Sequence, residues 1–303
     1  MYDLMIIGGG PAGMTAAVYT ARKKLDALLL SKDVGGQVNW IFGVENYMGY
    51  QFIEGQQLIR KFEEQVKRFP IDMKVGEVVS SLSRIDGGFE VRTESGETYR
   101  AKTVLIATGK RPRPLNVPGE EKLRGRGVTY CATCDGPLFA DMEVAVIGGG
   151  NSALEVVDDM VKIASRVYLV SLTPLTGDQV LIDRVKDAGN LTMFLEHEVT
   201  EITGEKLVDG IKIRDLKTKQ EKELRVNGVL IEIGLMPNST VAKGVAALNR
   251  KGEIEVTCNN ETNIAGLFAA GDVTNVPEKQ ILIAAGEGAK AALQAHRYLQ
   301  RLS

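Results

Sequence analysis

The chain opens on Tyr2 to Ile7, a short and almost uninterrupted apolar run of the kind a fully buried strand requires. An alanine-rich stretch beginning near Met14 predicts a helix, and Ala27 to Leu30 a second buried strand. Gly55 to Phe69 alternates charge and hydrophobicity at helical spacing and predicts an amphipathic helix. Strand-like alternation at Glu77 to Ser83 and Phe89 to Thr93, around a turn at Asp86-Gly87-Gly88, predicts a small antiparallel piece. Val104 to Ile106 is again buried-strand sequence, ending in Ala107-Thr108-Gly109. Arg111-Pro112-Arg113-Pro114 and Pro118-Gly119 then break regular structure and mark a linker.

Beyond the linker the opening pattern recurs. Glu143 to Ile147 predicts a strand, Leu154 to Ile163 a helix, and Arg166 to Val170 a further strand. Leu191 to Ile233 is strand-rich with a charged turn at Asp215 to Glu221, and Gly234 to Asn238 is a second proline break. Gly252 to Val256, Leu267 to Asp272 and a helix opening near Ile281 complete the chain.

Each repeat carries glycines at its strand-to-helix turn. Gly8-Gly9-Gly10-Pro11-Ala12-Gly13 has the spacing of a dinucleotide-binding turn. The first glycine permits the tight bend, Gly10 lets backbone approach a pyrophosphate, and Gly13 lets helix and strand pack closely. Unpaired amides at the helix N-terminus then face the phosphates. The second turn is Gly148-Gly149-Gly150-Asn151-Ser152-Ala153. An acidic ribose partner is expected after the second strand of such a unit, but the first site reads Ser31-Lys32 with Asp33 later. The second site reads Ser171-Leu172-Thr173-Pro174-Leu175-Thr176-Gly177, with neither acid nor arginine. Absence of arginine argues against a 2′-phosphate, hence against NADPH, without establishing NADH. Asp272 ends a buried strand, at the edge where open α/β sheets bind ligands.

Length and charge narrow the class. A chain of 303 residues suggests about two domains. A net charge of −2 provides no basic field for nucleic acid or anionic lipid. No apolar run approaches the ~20 residues of a membrane helix, and no signal segment precedes the first strand. The expectation is a cytoplasmic protein with no membrane or nucleic-acid partner.

Two of the three cysteines, Cys131 and Cys134, stand in Tyr130-Cys131-Ala132-Thr133-Cys134-Asp135-Gly136. Such a pair can close a small disulfide, supply half a zinc site, or simply pack. Zinc needs further ligands, and only Cys258, His197 and His296 exist, each isolated, so no metal is expected. In a reducing compartment a Cys-x-x-Cys points to redox chemistry. Arg124-Gly125-Arg126-Gly127 just before it reads either as a contact for an acidic partner rim or as a solvated turn.

Taken together in order, Gly8 to Gly13, Gly35 to Gln37, Ala107 to Gly109, Cys131 to Gly136, Gly148 to Ala153, Gly234 to Asn238, Gly271-Asp272 and Lys279-Gln280-Ile281 resemble the low-molecular-weight, bacterial-type thioredoxin reductases. They are also similar to the flavoprotein component of alkyl hydroperoxide reductase. The resemblance implies an α/β fold of two Rossmann-like three-layer dinucleotide-binding domains, the second inserted in the first. It implies FAD on residues 1–113 and 246–303, and a nicotinamide domain at 114–245 carrying the disulfide.

For FAD it points to Gly8, Gly10, Pro11, Ala12, Gly13, Gly36, Gln37, Asn46, Val78, Thr108, Gly109, Gly271, Asp272, Gln280 and Ile281. For the nicotinamide dinucleotide it points to Gly148, Gly150, Asn151, Ser152 and Ala153. By the same resemblance Cys134 lies against the flavin, Cys131 attacks a partner's disulfide, and Asp135 handles the thiol proton. A perturbed Asp135 is expected if that role is real. The partner is a thioredoxin- or glutaredoxin-like protein, the chain a homodimer, and the inserted domain rotates on its linkers. The arginines the resemblance expects for a 2′-phosphate are missing at Ser171, Leu172, Thr173 and Gly177, which favours NADH over NADPH. Ferredoxin or a deazaflavin as donor, a dithiol oxidase using oxygen, and a flavin-binding sensor are the competing readings.

Overall fold

The computed structural model describes residues 1–41 and 43–302. The chain divides into two compact units. One comprises Met1–Asn39, Tyr47–Arg111 and the chain from Met236 onward; the other comprises Trp40–Asn46 and Pro112–Leu235.

In the first unit β1 (Tyr2–Gly9) leads into α1 (Pro11–Arg22), then β2 (Ala27–Val34), α2 (Gly55–Val66) and β3 (Asp72–Val75). An antiparallel pair, β4 (Val79–Ile85) and β5 (Gly88–Thr93), runs into the long β6 (Thr98–Ile106). The order is β3-β2-β1-β6-β5-β4, with the strand Leu267–Ala269 added in parallel to the end of β6. The continuous apolar runs of β1, β2 and late β6 have the physical cause the sequence suggested: both faces of their sheet are covered. Leu4, Ile6, Leu29 and Leu105 pack into one core with α1 and the C-terminal helix, Ile281–Gln300. Met5, Ile7, Leu28, Leu30, Val104 and Ile106 point into another core on the opposite face.

α1 and the C-terminal helix approach through small residues. A Cβ on Gly288 would fall 2.0 Å from the carbonyl oxygen of Ala12, so only glycine permits the approach.

The second unit repeats the plan. β7 (Val128–Thr129) is followed by the one-turn helix α3 (Ala132–Asp135), β8 (Glu143–Ile147), α4 (Asn151–Ile163), β9 (Arg166–Ser171) and β10 (Leu191–Leu195). An antiparallel sheet of β11 (His197–Thr203), β12 (Gly210–Asp215) and β13 (Glu221–Arg225) precedes β14 (Gly228–Ile231). The parallel sheet has the order β7-β14-β8-β9-β10. Val144, Val146, Leu169 and Leu230 face α4. Ala145, Ile147, Val170, Val229 and Ile231 face the residues of the antiparallel sheet. The three layers are therefore helix, parallel sheet and antiparallel sheet.

The expected boundary at 245/246 falls inside the first unit. Asn238 explains this: its N–H bonds the Gly109 carbonyl at 2.9 Å, its side-chain amide donates to Thr108 O at 2.9 Å, and Thr108 Oγ1 donates to its carbonyl at 2.7 Å. Among the described residues no helix is long and apolar enough to cross a membrane.

Candidate active site

Both parallel sheets reverse direction of growth beside their first strand, at β1/β6 and at β8/β14. Such switch points open a crevice at the carboxyl ends of the strands, where open α/β sheets bind ligands. The glycine turns stand at these two points. A Cβ on Gly8 would lie 2.3 Å from Ala107 O, and one on Gly148 would lie 2.4 Å from Glu232 O. A Cβ on Gly13 would fall 1.8 Å from Gly8 O, which is the close helix–strand packing its spacing predicts.

Gly10 differs: a Cβ there would meet nothing within 4 Å. α1 begins at this open position with no side-chain cap and no acidic residue in its first turn. Its leading amides are left for an anion, and the geometry fits a pyrophosphate. Gly35 N–H bonds Gly9 O at 2.8 Å and brings Gly36 over the turn. Gln37 Nε2 reaches Asp272 Oδ2 at 3.1 Å, so two flavin candidates more than 230 positions apart meet. Burial pushes the Asp272 carboxyl up, opposed by Lys279 and Lys110.

Lys110 and Lys279 escaped the sequence reading as a pair. Lys110 Nζ lies 2.5 Å from Glu253 Oε1, with each side chain only 9% exposed, and Asn249 Nδ2 donates to Glu253 Oε2 at 2.7 Å. Lys279 Nζ donates to Thr274 O at 2.7 Å and stands 3.7 Å from the same Glu253 oxygen. Burial and the neighbouring Lys110 pull the Lys279 ammonium below its ordinary pKa. Gln280 is the N-cap of the C-terminal helix and Ile281 its first residue. Val78 is half-buried beside β4. Asn46 groups with the second unit.

At the second turn, Thr176 N–H bonds Gly149 O at 2.8 Å, repeating the Gly35–Gly9 contact. α4 also starts without a side-chain cap or an acidic first turn, and a Cβ on Gly150 would meet only Thr176 Oγ1, at 3.9 Å. This site too fits a pyrophosphate. Ser171, where a ribose-binding acid is expected, is buried with its hydroxyl against Gly149. The acid nearest in sequence is Asp178, and it is engaged: Asn151 Nδ2 donates to Asp178 Oδ2 at 2.9 Å, while Asp178 N–H donates to Asn151 Oδ1 at 2.7 Å.

Cys131 and Cys134 form a disulfide, with Cα atoms 5.3 Å apart, at the start of α3. The amides of Cys134 and Asp135 bond Cys131 O at 3.1 and 3.0 Å. Among the described residues no group of three or more His, Cys, Asp or Glu could hold a metal, and the free Cys258 is exposed. Asp135 is buried, and burial raises its pKa to about 6 despite a hydrogen bond from Thr129. Thr129 Oγ1 donates to Asp135 Oδ2 and accepts the Cys131 N–H at 3.1 Å. Asp135 Oδ1 is buried without a hydrogen-bond partner. A carboxyl so placed can exist in either protonation state near neutral pH, which suits proton transfer.

Tyr130 was not singled out by the sequence. Its hydroxyl donates to Glu120 Oε1 at 2.5 Å, and burial together with that carboxylate drives the phenol well above its ordinary pKa. Glu120 also accepts the amides of Leu115 and Asn116 at 2.9 and 2.7 Å. Arg124 is not a free basic rim: its guanidinium stacks 4.4 Å from the Trp40 ring centre and 4.8 Å from that of Tyr130.

Comparison with known proteins agrees with this geometry. The family model described as pyridine nucleotide-disulphide oxidoreductase matches residues 2–289. The chain belongs to this family. It is 42% identical over 301 residues to the F subunit of alkyl hydroperoxide reductase from Staphylococcus aureus (strain MSSA476), covering 99% of this chain and 59% of that relative. The Pseudomonas putida protein of the same name is 42% identical over 306 residues, covering 100% and 59%. The chain thus spans about three fifths of the length of these curated relatives. Among solved structures, thioredoxin reductase from Streptococcus pyogenes MGAS5005 is 37% identical with a TM-score of 0.95, and 99% of each chain is covered. Thioredoxin reductase from Giardia duodenalis is 30% identical with a TM-score of 0.91, again with 99% of each covered. Membership in the family implies FAD and a nicotinamide dinucleotide, which the two uncapped glycine turns fit.

Proposed function

We propose that the chain is a disulfide reductase that takes electrons from NADH and delivers them to a thioredoxin- or glutaredoxin-like protein through Cys131 and Cys134. The observation that carries this reading is the Cys131–Cys134 disulfide with a buried, proton-competent carboxyl directly after it. Bound at the first turn, FAD would supply hydride acceptance from the nicotinamide and two-electron reduction of a disulfide.

The chain's own residues do the rest. Gly8, Gly10, Pro11, Ala12 and Gly13 would seat the FAD pyrophosphate at α1, with Gly36, Gln37, Val78, Thr108, Gly109, Gly271, Asp272, Gln280 and Ile281 around the remainder. Gly148, Gly150, Ser152 and Ala153 would seat the second dinucleotide, with Asn151 held by Asp178. In the dithiol form, Cys131 as thiolate attacks the partner's disulfide and forms a mixed disulfide, expelling one partner thiolate. Cys134 then attacks Cys131, restores the internal disulfide and releases the partner as a dithiol. Asp135 takes and returns the thiol proton, and Thr129 holds it for that task.

Preference for NADH rests on the absence of any arginine from Ser171 to Gly177, so that a 2′-phosphate has no cation there. The same poverty of ribose contacts supports a second reading, in which ferredoxin or a deazaflavin donates the electrons. Anaerobic stopped-flow reduction of the bound flavin, with NADH and NADPH at equal concentration, separates them. Fast bleaching by NADH followed by turnover of a thioredoxin supports the first reading. Bleaching by neither nucleotide removes it.

A further inference from the structure

The two crevices share a backbone plan, and one of the side chains in which they differ is a carboxylate. Val104-Leu105-Ile106-Ala107-Thr108-Gly109 borders the first, and Val229-Leu230-Ile231-Glu232-Ile233-Gly234 the second. Ala107 N–H bonds Ile7 O at 2.7 Å, and Glu232 N–H bonds Ile147 O at 2.8 Å. Ala107 O packs on Gly8 just as Glu232 O packs on Gly148. A carboxylate therefore stands in the second crevice at the position a methyl group occupies in the first.

That carboxylate has partners on two elements. Ser152 Oγ, in the first turn of α4, donates to Glu232 Oε2 at 2.5 Å. The N–H of Ala132, between the two cysteines at the start of α3, lies close enough to favour its ionised form. The charged group facing it is Glu155 of α4, which with burial disfavours its ionised form.

We propose that Glu232 is a positioning residue that ties occupancy of the dinucleotide crevice to the setting of the disulfide helix. The inference rests on the reading that a dinucleotide binds at the second glycine turn. A pyrophosphate arriving at α4 meets Glu232 as a like charge and competes with it for Ser152 Oγ. When Ser152 turns to the phosphate, Glu232 keeps only the pull of the Ala132 N–H, and α3 responds. By thermodynamic reciprocity, a disulfide whose reduction alters this contact must alter dinucleotide affinity by the same factor.

The test uses the FAD-loaded protein with ADP-ribose, which keeps the pyrophosphate and lacks the hydride-carrying ring. Calorimetric affinity and the Cys131–Cys134 reduction potential, the latter from thiol labelling in glutathione buffers, are compared for wild type, Glu232→Gln and Glu232→Ala. Glu232→Gln is expected to bind ADP-ribose roughly tenfold more tightly, because the charge is gone and a hydrogen-bonding side chain remains. ADP-ribose is expected to shift the disulfide potential of wild type, a tenfold affinity difference between disulfide and dithiol forms corresponding to about 30 mV for this two-electron couple. Glu232→Ala is expected to lose that shift.

Equal affinities in all three proteins overturn the inference while leaving the nicotinamide reading standing. So does tighter binding by Glu232→Gln with no potential shift in wild type. Binding by none of the three overturns both.

Discussion

Thr129 and Asp135 are joined by a buried hydrogen bond across the disulfide helix, and the Thr129 hydroxyl that donates to Asp135 also receives the N–H of Cys131. One side chain thus fixes the carboxyl and the first cysteine together. The bond favours the ionised carboxylate and works against the burial that raises its pKa to about 6. In Thr129→Val that restraint is lost, so the acid limb of disulfide-exchange activity is expected to move to higher pH by on the order of one unit. Thr129→Ser should restore the profile. A pH series of partner reduction by wild type and the two variants checks this.

Asp135 also leaves a mark on folding. Its pKa is raised from 3.8 to about 6, so between those values the native state holds a proton that the unfolded chain has released. Its contribution is therefore fully present below the unfolded pKa and is lost as pH rises through about 6. The loss is on the order of 3 kcal/mol if taken from the shift alone. Asp135→Asn should flatten this part of the stability curve, as read by urea unfolding from pH 4 to 8.

Gly10 and Gly13 separate binding from folding. A Cβ at Gly10 enters open space, so Gly10→Ala should cost less than about 1 kcal/mol of apoprotein stability and yet obstruct the FAD pyrophosphate. A Cβ at Gly13 strikes Gly8 O, so Gly13→Ala should cost about 3 kcal/mol or more. Flavin content after purification and thermal unfolding of both apoproteins give the comparison.

The Lys110–Glu253 pair predicts an asymmetric response. Removing one partner of a buried ion pair strands the other, so Lys110→Met should destabilise the protein by about 3 kcal/mol. Hydrogen bonding to Lys110 holds the Glu253 carboxyl below its ordinary pKa against the cost of burial. Its stabilisation is thus present above the unfolded pKa and disappears as pH falls through the lower native value. Wild type should lose stability more steeply than Lys110→Met in acid, as measured by thermal unfolding between pH 3 and 6.

Breaking the disulfide chemistry should leave the nucleotide step intact. Cys131→Ser and Cys134→Ser are each expected to lower turnover of a thioredoxin-like partner by about 1,000-fold or more while flavin bleaching by NADH continues. Stopped-flow absorbance and partner thiol release measure the two separately.

Much of this arrangement was legible in the residues. Buried parallel strands announce themselves as runs such as Leu4 to Ile7, and glycines at strand-to-helix turns have few other uses. Cys131 and Cys134 could be paired by spacing and company. What remained hidden depends on contacts between distant positions. Thr129 looks like any strand threonine until Asp135 folds over it. Glu232 looks like an anomaly in an apolar run until Ser152 and Ala132 reach it. Arg124 read as a surface charge because nothing in its neighbourhood announces Trp40, more than 80 positions away. The break at 234–238 was visible, but not that Asn238 fastens the following residues to Thr108.

Trp40 is the chain's one tryptophan, and it lies against the Arg124 guanidinium, which also meets the ring of Tyr130, one residue before Cys131. Its fluorescence therefore carries no background from other indoles. Any event that loosens the backbone at Cys131 changes the stacking of a cation on the sole indole, so the protein contains its own optical probe of the redox segment and needs no added label.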